Sequence, residues 1–270
     1  MDARWVTVVH WAAAHALLLF FLVLVGSLAL TFAATRAWQH DAGSAVPTHP
    51  SLTRPIPLQI LLGLGVIVAG TAVIAVLSRH LGSASELTHV DQALTHALRL
   101  GLPQPMREVF AVLTHLGDTV TLTLLCVCVA LALVVMRRRE LAIGWVVAVV
   151  GNGLLNNTLK QTIGRVRPLF PDGGSVANGF SFPSGHSSGS VVAYGMLAYL
   201  ALRLLPVRWH LPAMMASVAV AVTVGASRLF LRVHFGSDVV AGFASGAAWL
   251  AACVTVLEVV RWQGQPHSSP

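Results

Sequence analysis

Charge is scarce in this chain of 270 residues. Only 10% of the side chains are Asp, Glu, Lys or Arg, against about 25% in an ordinary soluble domain, while 56% are apolar and the mean hydropathy is +0.75. That combination excludes a disordered chain and a typical soluble enzyme, and it points to a protein that crosses a membrane several times. Cysteine is scarce too. Cys126, Cys128 and Cys253 lie inside apolar runs without metal-ligand spacing. They read as small hydrophobes, so neither a disulfide framework nor a thiolate metal site is expected. Lysine is nearly missing: of 17 basic side chains, one is Lys160 and the rest are Arg. The cations sit mostly between apolar runs, where loop bias and lipid headgroups account for them, so nucleic acid is not an expected partner despite a net charge of +7.

What the chain does have is long apolar runs. Seven are candidate spans, over about 10–35, 56–78, 118–136, 141–159, 187–205, 211–228 and 237–260. The first reads as a span rather than a cleaved leader, because its apolar core is long and few cations precede it, although Ala33–Ala34 offers a cleavage pair. Arg137, Arg138 and Arg139 cluster between the third and fourth runs, Arg203 and Arg208 flank the turn after the fifth, and Arg261 closes the seventh. The positive-inside rule places these in the cytoplasm, and segments 80–117 and 160–186 then face outward, as does the N-terminus. Arg4, Arg36 and Arg54 discriminate poorly at that end. Within 80–117, Leu87, Val90, Leu94, Leu98 and Leu100 recur near helical spacing with Asp91, Gln92, Thr95 and Arg99 between them. One or two amphipathic helices lying at the interface are expected. Trp38, Trp209 and Trp262 fall near span ends, as interfacial anchors do, and the tail 263–270 reads as disordered. No repeat and no soluble domain is evident.

Ionisable groups gather in three short segments at the ends of the fourth to seventh runs. The first runs from Lys160 to Arg167-Pro168, behind Asn152, Asn156 and Asn157. A mobile ammonium beside a rigid guanidinium suits a phosphate, and a basic loop against headgroups is the plainer alternative. The second, Pro183-Ser184-Gly185-His186, opens a helix whose free N–H groups favour an anion, with His186 able to exchange a proton near neutral pH. An ordinary cap of small polar residues fits it as well. The third holds Ser227-Arg228, then His234 and Asp238, four apart. On one helical face, or with Asp238 capping the next helix, the carboxylate can bond one ring nitrogen and leave the other as a lone pair for substrate. An interfacial His beside a capping Asp is the alternative. The span order brings all three segments to one membrane face. Together they offer three cations (Lys160, Arg167, Arg228), two His and one Asp, a set that suits a dianion reacting at phosphorus without a metal or cofactor.

These segments resemble the signature of the type 2 phosphatidic acid phosphatase superfamily, the lipid phosphate phosphatases, in its bacterial membrane branch: Lys-x6-Arg-Pro, Pro-Ser-Gly-His and Ser-Arg-x5-His-x3-Asp. All three fit without departure. The resemblance implies His234 as the nucleophile, Asp238 as its orienting partner, His186 as the general acid, and Lys160, Arg167, Ser184, Gly185 and Arg228 as the phosphate cradle. The superfamily also holds soluble vanadium haloperoxidases, but the spans here argue for a membrane-embedded substrate.

The expected protein is an all-α polytopic bundle, with an extra N-terminal span and loop (1–55), a six-span phosphatase core (56–262) and a tail (263–270). It would sit in the plasma (inner) membrane and remove phosphate from a lipid phosphate or diphosphate at the outer face. Phosphatidate, phosphatidylglycerophosphate and undecaprenyl diphosphate are all open as substrates. A lipid phosphotransferase with the same site is the alternative, and an anion transporter is a more remote one. No cofactor and no obligate protein partner is expected. His10 and His15 read as isolated span histidines, His115 as a surface residue that would at most line the entrance, and Arg165 as an auxiliary contact outside the family pattern.

Overall fold

The computed structural model describes residues 3–41, 56–82, 85–168 and 179–263. Among them every regular element is a helix. Ten α-helices follow in order: α1 (Ala3–Ala14), α2 (Ala16–Asp41), α3 (Ile56–Arg79), α4 (Glu86–Gly101), α5 (Gln104–Leu113), α6 (Thr119–Val135), α7 (Arg139–Ile163), α8 (Gly185–Leu204), α9 (His210–Phe230) and α10 (Gly236–Gln263). A 3-10 turn, Thr114–Gly117, joins α5 to α6.

Helix α8 is the hub, packed by α7, α9 and α10. α3 lies along α10, α2 along α9, and α6 against α7. Around α8 the buried core contains Trp145, Val192, Met196, Tyr199 and Leu257. A second cluster joins the N-terminal segment to the amphipathic helices: Val9 and Ala13 meet Leu98 and Leu102, while Phe20, Phe110 and Phe230 pack edge to face.

Three expectations are corrected. The first run does not form one helix: His15 interrupts it, and its ring Nδ1 lies 2.9 Å from the Trp11 carbonyl that also accepts its backbone N–H. The spanning piece is Ala16–Ala37, while α1 packs against α4. Second, α6 has 17 residues, about 26 Å of helix against a hydrocarbon core of about 30 Å. It is long enough only together with Gln104–Gly117, across a bend of 41°. Third, five helices are long and apolar enough to cross a membrane, six with that bent pair, and α8 is not among them. Its Ser and Gly residues face protein rather than lipid, so hub position replaces hydropathy as its reason for burial. The amphipathic reading of 80–117 holds as α4 and α5. Residues 169–178 and 264–270, and the side chains of Trp38, Arg99 and Leu100, lie outside the described residues.

Two glycines set the geometry near the charged segments. Gly164 adopts φ +67° and closes α7 with its N–H on the Lys160 carbonyl, turning the following arginines back over the bundle. Gly242 lets α10 press against the start of α8: a methyl there would stand 2.6 Å from the Ser184 carbonyl oxygen.

Candidate active site

The three charged segments meet at one end of the bundle, around a cavity of about 980 Å³. Lys160, Arg167, Gly185, His186, Arg228 and His234 all line it.

His234 sits in the linker between α9 and α10, just after Arg232, whose φ of 57° reverses the chain. The ring is buried, with Nδ1 3.5 Å from Asp238 Oδ2. On its other side the Arg167 guanidinium Nη1 approaches Nε2 at 3.1 Å and also donates to the Val233 carbonyl at 2.9 Å. A guanidinium only donates, so Nε2 must be the lone pair and Nδ1 must carry the hydrogen. Burial pushes the His234 imidazole down to about 4 against the pull of Asp238, and Arg167 and Lys160 add to the depression. The ring is therefore neutral near pH 7, with its free lone pair among cations.

Asp238, at the start of α10, is held from every side. Oδ2 accepts from the Ser181 hydroxyl and from the Phe235 N–H (2.9 Å), and Oδ1 from Arg165 at 2.7 Å. The Ser184 N–H donates to the Asp238 carbonyl at 3.0 Å. The Ser184 side chain itself does not line the cavity. It caps α8, accepting from the Ser187 N–H at 3.4 Å and the Ser187 hydroxyl at 3.0 Å. Of the residues expected in the phosphate cradle, Ser184 thus serves the helix start, while Gly185 reaches the wall.

Each cavity cation is anchored without a carboxylate partner among the described residues. Lys160 Nζ donates to the Phe180 carbonyl at 2.6 Å, and Arg228 Nη1 to Thr114 Oγ1 at 2.7 Å. The buried Arg228 Nε has no acceptor among the described residues. His186 projects from the first turn of α8, and its Nε2 lies 2.5 Å from Asp118 Oδ1. The other Asp118 oxygen is 2.5 Å from His115 Nδ1. Burial alone would raise the Asp118 carboxyl, but the two histidine contacts outweigh it and hold the group below the usual carboxylate range. His115, expected at most to line the entrance, is thereby a partner of Asp118.

Below the charged rim the cavity becomes a groove between α6 and α7. Thr119, Thr123, Asn152, Asn156 and Asn157 occupy its upper part, and Val127, Leu131, Val146 and Val150 its depth. From Lys160 to Val146 the wall runs about 21 Å, at about 1.5 Å per residue.

The sequence model of the PAP2 superfamily matches residues 122–262, just over half of the chain. The chain belongs to this family. Among its relatives, phosphatidylglycerophosphatase B of Bacillus subtilis (strain 168) is 36% identical over 159 residues, covering 58% of this chain and 77% of that one. A lipid A 1-phosphatase of Rhizobium johnstonii is 32% identical over 178 residues, covering 57% and 69%. The crystal structure of a transmembrane PAP2-type phosphatidylglycerolphosphate phosphatase from Bacillus subtilis superposes with a TM-score of 0.65 at 27% identity, over 74% of this chain and 98% of that chain. This PAP2 protein thus shares the helical membrane fold of a solved relative.

Residues that the sequence reading passed over are Asp91, Thr114, Asp118, Ser181 and Ser237. Asp118 had a local signal, since it immediately precedes the apolar run that becomes α6. Asp91 had none, because a carboxylate on the polar stripe of an amphipathic helix looks solvated.

Proposed function

We propose that this PAP2 protein is a membrane phosphatase that hydrolyses a lipid phosphate or diphosphate through a phosphohistidine. The observation that carries the reading is the orientation of His234: Nδ1 toward Asp238, Nε2 toward Arg167 at 3.1 Å, where a phosphate would displace the guanidinium contact. Nε2 attacks phosphorus, the bond to the leaving oxygen breaks, and His186 gives that oxygen a proton. A water then attacks phosphorus, passes its proton to His186, and the P–N bond breaks. Lys160, Arg167 and Arg228 offset the charge on the equatorial oxygens in both steps, which leaves no task for a metal. Asp118, 2.5 Å from His186 Nε2, orients the ring for that role.

The lipid assignment rests on the groove, which continues from the cations into apolar depth and is long enough for one extended hydrocarbon chain. The relatives' names support a phosphorylated lipid, with phosphatidylglycerophosphate, phosphatidate and undecaprenyl diphosphate types as the panel to test. Residues 56–262 form the catalytic unit in this reading, and the positive-inside bias of Arg137–Arg139, Arg203 and Arg208 supports a site on the extracytoplasmic face.

The test separates the two histidines by leaving group. A nitrophenolate departs without a proton, so His186→Ala keeps most of its phosphorylation rate on nitrophenyl phosphate. On a lipid phosphate it loses about 10²–10⁴-fold. Rapid quench with labelled phosphate shows a nitrophenol burst and an acid-labile, base-stable label on His186→Ala. His234→Ala shows neither. Label persisting on His234→Ala overturns the assignment.

A further inference from the structure

Behind Asp238 lies a second buried set of charges that does not touch the cavity. Arg165 splits its guanidinium between two carboxylates: Nη1 donates to Asp238 Oδ1 at 2.7 Å and Nη2 to Asp91 Oδ2 at 2.9 Å. Ser237 completes the ring, accepting from Arg165 at 2.8 Å, donating its hydroxyl to Asp91 and its N–H to Asp91 Oδ1 at 3.2 Å. The Phe235 ring lies under the guanidinium at 4.2 Å. Arg165, Asp91, Ser237 and Asp238 are 8%, 3%, 5% and 0% exposed, so water does not screen the arrangement.

We propose that Asp91 and Arg165 are positioning residues, which hold the Asp238 carboxylate ionised and aimed at His234. The inference rests on the reading of His234 as nucleophile. Phosphorylation at Nε2 with hydrogen kept on Nδ1 leaves the imidazole ring positively charged. An Asp238–Arg165 pair alone would be neutral and could not balance that charge. Asp91 restores one net negative charge to the set, so charges alternate from ring to Asp238 to Arg165 to Asp91. The guanidinium also fixes Asp238 Oδ1, so that Oδ2, held by Ser181 and the Phe235 N–H, is the oxygen facing the ring. Asp91 comes from α4, so an interfacial helix outside the three signature segments becomes part of the catalytic support.

Loss of Arg165 would leave two buried carboxylates facing each other, with Lys160 and Arg167 as the other cations acting on Asp238. A proton shared by that pair would make Asp238 a donor and force hydrogen onto Nε2, the reacting atom. Arg165→Gln should therefore move the acid limb of kcat/KM upward by about one unit, a conservative figure for removing one close cation. Activity should recover as pH rises, and KM should change little. Arg165→Lys should recover most of the position of the limb.

Asp91→Asn gives the deciding comparison. In the otherwise unchanged protein it should lower kcat several-fold, because the phosphorylated ring loses its compensating charge. In the Arg165→Gln protein it should raise activity at low pH, because it removes the carboxylate that competes with Asp238. The measurement is kcat/KM against pH for the four proteins in detergent on one substrate, each checked for monodispersity and Tm, so that substrate ionisation cancels. A loss by Arg165→Gln that is equal at every pH, or an Asp91→Asn effect of the same sign in both backgrounds, overturns the proposal. Retained labelling of His234→Ala would instead overturn the nucleophile assignment, and the two failures are distinct.

Discussion

Two buried charge clusters sit near opposite ends of α8 and α10, and they differ in balance. At the far end, Glu258 accepts from Arg203 and from the Tyr199 hydroxyl (2.5 Å). That is one carboxylate against one cation, with a phenol donating to the carboxylate, although Arg203 Nε is left without an acceptor among the described residues. Asp238 and Glu258 lie on the same helix, about 30 Å apart at about 1.5 Å per residue, which is roughly the thickness of a hydrocarbon core. At the near end, Lys160, Arg167 and Arg228 face a cavity where, among the described residues, their direct acceptors are backbone carbonyls, a hydroxyl and a neutral His234. A matched pair fastens two helices, whereas cations left without a carboxylate at a cavity wall are poised for an anion from outside.

The comparison breaks most sharply under alanine substitution. Lys160→Ala, Arg167→Ala and Arg228→Ala should each lower kcat/KM by about 10²–10³-fold, with Tm held or raised because a repulsive cation is removed. Glu258→Gln should do the reverse. It leaves Arg203 without its carboxylate and should cost on the order of 3 kcal/mol of stability, several degrees of Tm, while turnover per folded molecule stays within about twofold. Turnover assays and thermal unfolding on the same preparations read both columns, and a Glu258→Gln protein as inactive as Arg228→Ala would erase the distinction.

A smaller effect sharpens the near end. His234 is depressed to about 4 by burial, below the ordinary value of about 6.5. The unfolded chain therefore binds a proton that the folded ring refuses between those values, so this ring makes stability fall as pH drops from about 6.5 toward 4, with no further loss below. His234, the proposed nucleophile, stays unprotonated through the same window. After correction for substrate ionisation, kcat/KM for nitrophenyl phosphate should show no acid limb from this ring above pH about 5, and a limb near 6.5 would show that the ring is not held neutral. The smallest expected change is at Arg138, which lies in the exposed far-end turn: Arg138→Ala should leave turnover unaltered. In a background without the native cysteines, an impermeant thiol reagent on intact cells should label Gln104→Cys and spare Arg138→Cys. The opposite pattern would reverse the membrane orientation.

Much of this was legible in the sequence, for definable reasons. The cavity cations and both histidines declare themselves because each lies within a few residues of a helix end, where spacing maps to position. The helical class follows from apolar runs too long for strands. The hub role of α8 was not legible, because hydropathy sees Ser187, Ser188 and Ser190 as breaks in a lipid-facing run rather than as the small face of a helix enclosed by protein. The division at His15 was hidden because no Pro or Gly marks it. The Asp91–Arg165 contact joins residues 74 positions apart, and nothing local to either announces the other.

The spread of the site along the chain also fixes when it can come into being. Asp91 acquires its Ser237 partners 146 residues later, roughly 7–30 s of synthesis at 5–20 residues per second. By the time Lys160, Arg167 and His186 have been laid into the bilayer, the nascent polypeptide has cations but lacks the proposed nucleophile. His234 and Asp238 arrive only with the last linker and the start of α10. A ribosome stalled before that point leaves a fragment able to attract anionic headgroups and unable to cleave them. On the proposed mechanism hydrolysis waits for α10, and the appearance of activity in a cell-free insertion reaction marks the docking of that helix.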